Sequence, residues 1–168
     1  IGEEYRQYLA ELTRLQSTLD QAEHRSNRVP VTPADLAGIA PSFNRLVHVP
    51  PCETNPEGAL NSHLDVEAIE ARYRATKPEV TFVDDLLNPS SLDALRRFCW
   101  ESTIWKKDYE NGYIGAFLGD GFASPLLLQI ADELRRRFPG IFGVHRLTQA
   151  WAFKHDSARR GLNIHADA

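Results

Sequence analysis

Apolar residues recur at three- and four-residue steps near the start of the chain. Tyr5, Tyr8, Leu9, Leu12, Leu15, Leu19 and Ala22 form the stripe, with Glu, Arg, Gln and Asp on the other side. This period predicts one amphipathic helix over residues 3–25. A lone helix of that length is marginal in water, so its stripe needs a partner, by coiled-coil pairing or by packing on other helices. Residues 26–63 interrupt the period with Pro30, Pro33, Pro41, Pro50, Pro51 and Pro56. Within them Thr32 or Asp35 can cap a short helix through Ile39. Phe43, Leu46 and Val47 stand at helical spacing, and Val49-Pro50-Pro51-Cys52 is extended. The apolar residues here are too many for a free tether and predict a linker lying on a surface. Leu64, Ala68, Ile69 and Tyr73 place another helix over residues 65–75.

The pattern changes after Pro78. Val80-Thr81-Phe82-Val83 is a β-branched and aromatic run that predicts a strand. A turn over 84–88 leads to a helix capped by Ser90 or Ser91, with Asp93 in its first turn and Leu92, Leu95, Phe98 and Cys99 facing inward. Residues 113–118 predict a short strand between two glycines. Pro125 opens a third helix carrying Leu127, Ile130, Ala131, Leu134 and Phe138, ended by Pro139-Gly140. Residues 148–154 alternate in the manner of a strand, and residues 162–167 predict a last one after a turn. Those two strands are joined too closely for a parallel crossover, so they pair antiparallel. The class is α+β, with helices against one side of an antiparallel sheet or barrel rather than a doubly wound sheet.

A chain of 168 residues allows one domain, or a small domain with an appendage. Hydrophobic content of 42% and charged content of 25% fit a globular protein rather than a disordered one. The net charge of -4 provides no electrostatic footprint for nucleic acid or an anionic membrane. Arg135-Arg136-Arg137 ends a predicted helix, where cations favour the dipole. No apolar run reaches membrane-spanning length and no signal peptide is visible, so a cytoplasmic location is expected. Of the two cysteines, Cys99 sits among Leu95, Phe98 and Trp100 and is expected to be a buried thiol. The chain begins at Ile1 and contains no Met, which is expected of a processed or truncated product.

The residues with the most chemistry are His165-Ala166-Asp167. On a strand, residues i and i+2 share a face, so the imidazole of His165 and the carboxylate of Asp167 converge. One imidazole and one carboxylate are two-thirds of the facial triad that holds non-haem Fe(II). A competing metal set is His155, His165 and Asp167. His24, His48 and His63 stand in polar or linker surroundings and read as surface residues, while His145 and His155 lie nearer the motif in sequence, with His155-Asp156 in the turn before it read as capping or solvent-exposed. Asp84-Asp85 reads as a strand-to-helix turn. Gly119-Asp120-Gly121 is too short to cradle phosphate. Trp100, Trp105 and Trp151 read as core.

Three stretches carry a family resemblance. Residues 78–92, with Val80-Thr81-Phe82-Val83-Asp84-Asp85, resemble the opening strand and helix of prolyl-hydroxylase-like 2-oxoglutarate/Fe(II) oxygenases. Leu147-Thr148-Gln149-Ala150-Trp151-Ala152-Phe153-Lys154, a turn and His165-Ala166-Asp167 resemble that family's first barrel strand and its metal-bearing second strand. Trp105 through Gly121-Phe122-Ala123 to the arginine-rich helix resembles bacterial members that follow tetratricopeptide arrays. The resemblance implies that residues 1–77 are a helical connector and Pro-rich linker. It implies that residues 78–168 are the N-terminal part of a double-stranded β-helix (jelly-roll) with buttressing helices.

The same resemblance implies that Fe(II), 2-oxoglutarate and O2 are used to hydroxylate an unidentified substrate, which could be a protein, a peptide or a small molecule. His165 and Asp167 carry over as iron ligands. Phe153 takes the position of a Tyr that faces the cosubstrate in the family, but it has no hydroxyl to offer. The family's second metal-binding His and its cosubstrate-binding Arg or Lys fall after residue 168, so the domain is expected to be incomplete. The alternative is a non-catalytic interaction module, docking through residues 3–25 onto a helical-repeat partner, or a degenerate ligand-binding barrel.

Overall fold

The computed structural model describes residues 2–20, 32–109 and 112–155. The fold is mixed α+β, with helices and one small three-stranded antiparallel open sheet. The helices are α1 (Glu3–Asp20), α2 (Pro33–Leu36), α3 (Val66–Ala75), α4 (Pro89–Glu101), α5 (Pro125–Arg137) and α6 (Pro139–Phe142). The strands are β1 (Lys107–Tyr109), β2 (Tyr113–Phe117) and β3 (Trp151–His155), in the order β1-β2-β3. β1 and β2 pair antiparallel with Tyr109 opposite Tyr113. Among the described residues no helix is long and apolar enough to cross a membrane.

The chain forms two compact units. One takes the described parts of Ile1–Val47, Thr103–Ala116 and Phe153–Ala168, and the other His48–Ser102 with Phe117–Ala152. In the first, the stripe of α1 meets the turns that follow α2. Leu15 is buried, Tyr8 and Leu12 are half-buried, and the Tyr5 hydroxyl donates to the Val47 carbonyl at 2.8 Å. A Cβ on Gly38 would lie 2.6 Å from Glu11 Cγ, so the missing side chain lets these turns approach the helix. The turns themselves bury Ile39, and Val47 N–H donates to Thr103 Oγ1 at 3.0 Å. The partner that the stripe needs is therefore supplied in part by the chain itself. Residues 43–47, at helical spacing, form turns rather than a helix. Ala22 and the side chain of Leu19 lie outside the described residues.

The second unit is organised around α4 and α5. α5 starts at the Ser124 cap, whose hydroxyl accepts from Leu127 N–H, and Pro125 occupies the first turn as its spacing predicts. It buries Leu126, 1% exposed, and Ile130, and Phe138 is buried just beyond its end. α4 is capped by Asn88, not by Ser90 or Ser91. The Asn88 side chain accepts from Ser91 N–H at 2.8 Å, which places Asp93 beyond the first turn. Phe98 packs with Phe122 at 6.4 Å between ring centres. α3 begins at Asp65, whose carboxylate caps Ala68 N–H, and contacts α6.

Two expectations fail for the same physical reason. Residues 80–83 form no strand, because no neighbouring backbone pairs with them. Instead the Arg72 guanidinium donates to Thr81 Oγ1 and to the Phe82 carbonyl and lies over the Phe82 ring, leaving Val80 and Phe82 exposed. The short pairing in this region is a bridge between Leu60 and Leu87. Likewise the Pro-rich stretch from His48 is built into the unit, with Pro50, Cys52, Ala59 and Leu60 buried. Besides that bridge, several of its backbone groups pair with side chains of α5. Gln129 accepts from Asn55 N–H at 2.7 Å through Oε1 and donates to the Asn55 carbonyl at 2.7 Å through Nε2. Glu133 accepts from Ala59 N–H and Leu60 N–H at 2.9 Å each, and from Gln129 at 2.8 Å.

Burial alone would raise the pKa of Glu133. The Ala59 and Leu60 N–H groups, the Gln129 amide and the Arg136 charge outweigh it and hold the carboxyl below its ordinary value. A carboxyl lowered in this way adds stability that is fully present above the unfolded value, about 4.3, and is lost as pH falls through the folded one. Glu133→Gln puts an amide N–H where an acceptor is needed and is expected to cost about 1–3 kcal/mol at pH 7. In urea unfolding the variant should also lose less stability than wild type between pH 6 and pH 3.

The buried thiol is Cys52, and Cys99, expected to be buried, is only partly so. Cys52 is 4% exposed, its thiol 3.8 Å from the Ala94 carbonyl, whereas Cys99 is half-buried. Burial pushes the Cys52 thiol up, and the Ser124 hydrogen bond only partly offsets it. In the native protein a thiol reagent should modify Cys99 first and reach Cys52 only on unfolding. Equal rates at both positions would contradict this packing.

Candidate functional site

His165 and Asp167 lie outside the described residues, as does the strand expected to carry them. Described instead is β3, which ends ten residues before His165. The predicted alternation over 148–154 is realised in β3, though the strand starts at Trp151 rather than Thr148. Leu118 N–H donates to the Ala150 carbonyl at 2.8 Å, just before the strand starts.

Phe153, His155, Tyr109 and Tyr113 form one cluster within the first unit. Tyr109 and Tyr113, opposite each other across β1 and β2, stack at 4.3 Å with an interplanar angle of 9°. The Phe153 ring stands nearly perpendicular to both, with centres 6.0 Å from Tyr109 and 5.5 Å from Tyr113. The His155 imidazole stacks on Tyr113 at 5.2 Å. Such pairs follow the ring quadrupole: parallel rings stack, and a ring edge meets a ring face. Lys154 points the other way along the strand, its ammonium 4.5 Å from the centre of the Trp105 ring. The position assigned to a cosubstrate-facing Tyr is thus held by a phenyl ring whose neighbours are two tyrosines.

The remaining candidates are dispersed. His48 and His63 are exposed, as expected of surface residues, His145 is exposed as well, and His24 lies outside the described residues. Asp84 and Asp85 occupy a turn, with Asp85 in the left-handed region at φ 50°. Leu118–Asp120 is a single 3-10 turn that Gly121 closes at φ 108°. Trp100 is 76% exposed and Trp151 44% exposed, so neither is core as expected, and Trp105 is half-buried. Among the described residues no group of three or more His, Cys, Asp or Glu side chains could hold a metal ion. An imidazole and a carboxylate, the donors that His165 and Asp167 carry, are of a kind that suits Fe(II).

Tyr109 and strand β1 were not foreseen. The signal was present as Asn111-Gly112, a turn pair between Lys107-Asp108-Tyr109 and the run from Tyr113. No protein-family model, curated protein or solved structure matches the chain.

Phe153→Leu keeps an apolar side chain but removes both edge contacts, each about 0.5–1.5 kcal/mol. The expected loss is about 1–3 kcal/mol, measured by urea unfolding. An unchanged midpoint would show that the cluster contributes nothing to stability.

Proposed function

We propose that the chain belongs to an Fe(II)- and 2-oxoglutarate-dependent oxygenase that hydroxylates an unidentified substrate. One observation carries the proposal: His165-Ala166-Asp167 follows a strand whose sequence, Leu147 to Lys154, resembles the first barrel strand of prolyl-hydroxylase-like oxygenases. In this reading β3 belongs to a double-stranded β-helix and α4 and α5 are the helices that buttress it.

His165 would bind the metal through a neutral imidazole nitrogen and Asp167 through a carboxylate oxygen. The rest of the coordination sphere falls to a third protein ligand and to the cosubstrate. Bound there, Fe(II) with 2-oxoglutarate and O2 would supply oxidation of a C–H bond to an alcohol, with succinate and CO2 released. Phe153 would contribute an apolar wall to the cosubstrate site and no hydrogen bond, so another group must hold the far carboxylate. In this reading the chain's own work is to present two donors on one strand face.

A second reading has one observation in its favour. Leu9 is 65% exposed and Tyr5 43% exposed on α1, an apolar strip suited to a helical-repeat partner in a non-catalytic module. Succinate release separates the two. In a protein that also supplies the third ligand and the cosubstrate-binding Arg or Lys, Fe(II), 2-oxoglutarate and O2 should give succinate release, and His165→Ala and Asp167→Ala should each reduce it about a hundredfold. Turnover that survives loss of Asp167 rejects the metal assignment. A wild-type protein that binds a helical-repeat partner and releases no succinate supports the second reading.

A further inference from the structure

We draw no further inference here: the strongest candidate, the surface segment of the second unit on which Phe142, Val144, Leu147 and Trp151 are exposed, has nothing in the structure to show what covers it.

Discussion

The second unit depends on one carboxylate. Glu133 takes the N–H groups of Ala59 and Leu60, two donors in a Pro-rich stretch whose one strand-like pairing is the bridge of Leu60 to Leu87. Unpaired and buried, each would cost about 1–3 kcal/mol. Gln129, one turn earlier on α5, satisfies both backbone groups of Asn55 and also donates to Glu133. Two side chains of one helix thus replace the ladder that a neighbouring strand would provide. The effect extends to α4, because Asn88, its cap, donates to the Gly58 carbonyl, and Asn88 N–H donates to the Ala59 carbonyl at 3.0 Å. Asn55 Nδ2 reaches Ser90 and Ser91 in the first turn of α4 at 2.9 and 3.0 Å. The stretch from Asn55 to Leu60 is therefore the joint between two helices.

This joint explains what could be read from the sequence. α3, α4 and α5 were legible because a helix satisfies its own backbone, so its apolar period and Pro125 suffice. Strands need neighbours, and a sequence does not name them. Val80-Thr81-Phe82-Val83 has the composition of a strand, yet its partner is the side chain of Arg72. Lys107-Asp108-Tyr109 has the composition of a loop and is a strand because Tyr109 meets Tyr113. The prolines of residues 50–56 suggested a linker, since the hydrogen bonds that build it in come from side chains more than seventy positions away.

The candidate site divides along the same line. The pairing of His165 with Asp167 needs only the two-residue period of a strand, and so could be proposed from sequence. The rings around Phe153 come from three strands and depend on register, which no local pattern carries. The structure adds that the layer before the proposed metal strand is aromatic and closely packed. In the wider second unit, burial concentrates on the facing sides of α4 and α5, around Phe98, Phe122, Leu126 and Phe138.

The metal assignment is tested most directly by the stoichiometry of Fe(II) bound without oxygen in the presence of 2-oxoglutarate. One Fe(II) per chain is expected for the wild-type protein, with occupancy lost in both His165→Ala and Asp167→Ala while Phe153→Leu retains it. Equal binding in wild type and in the two ligand variants would contradict the assignment.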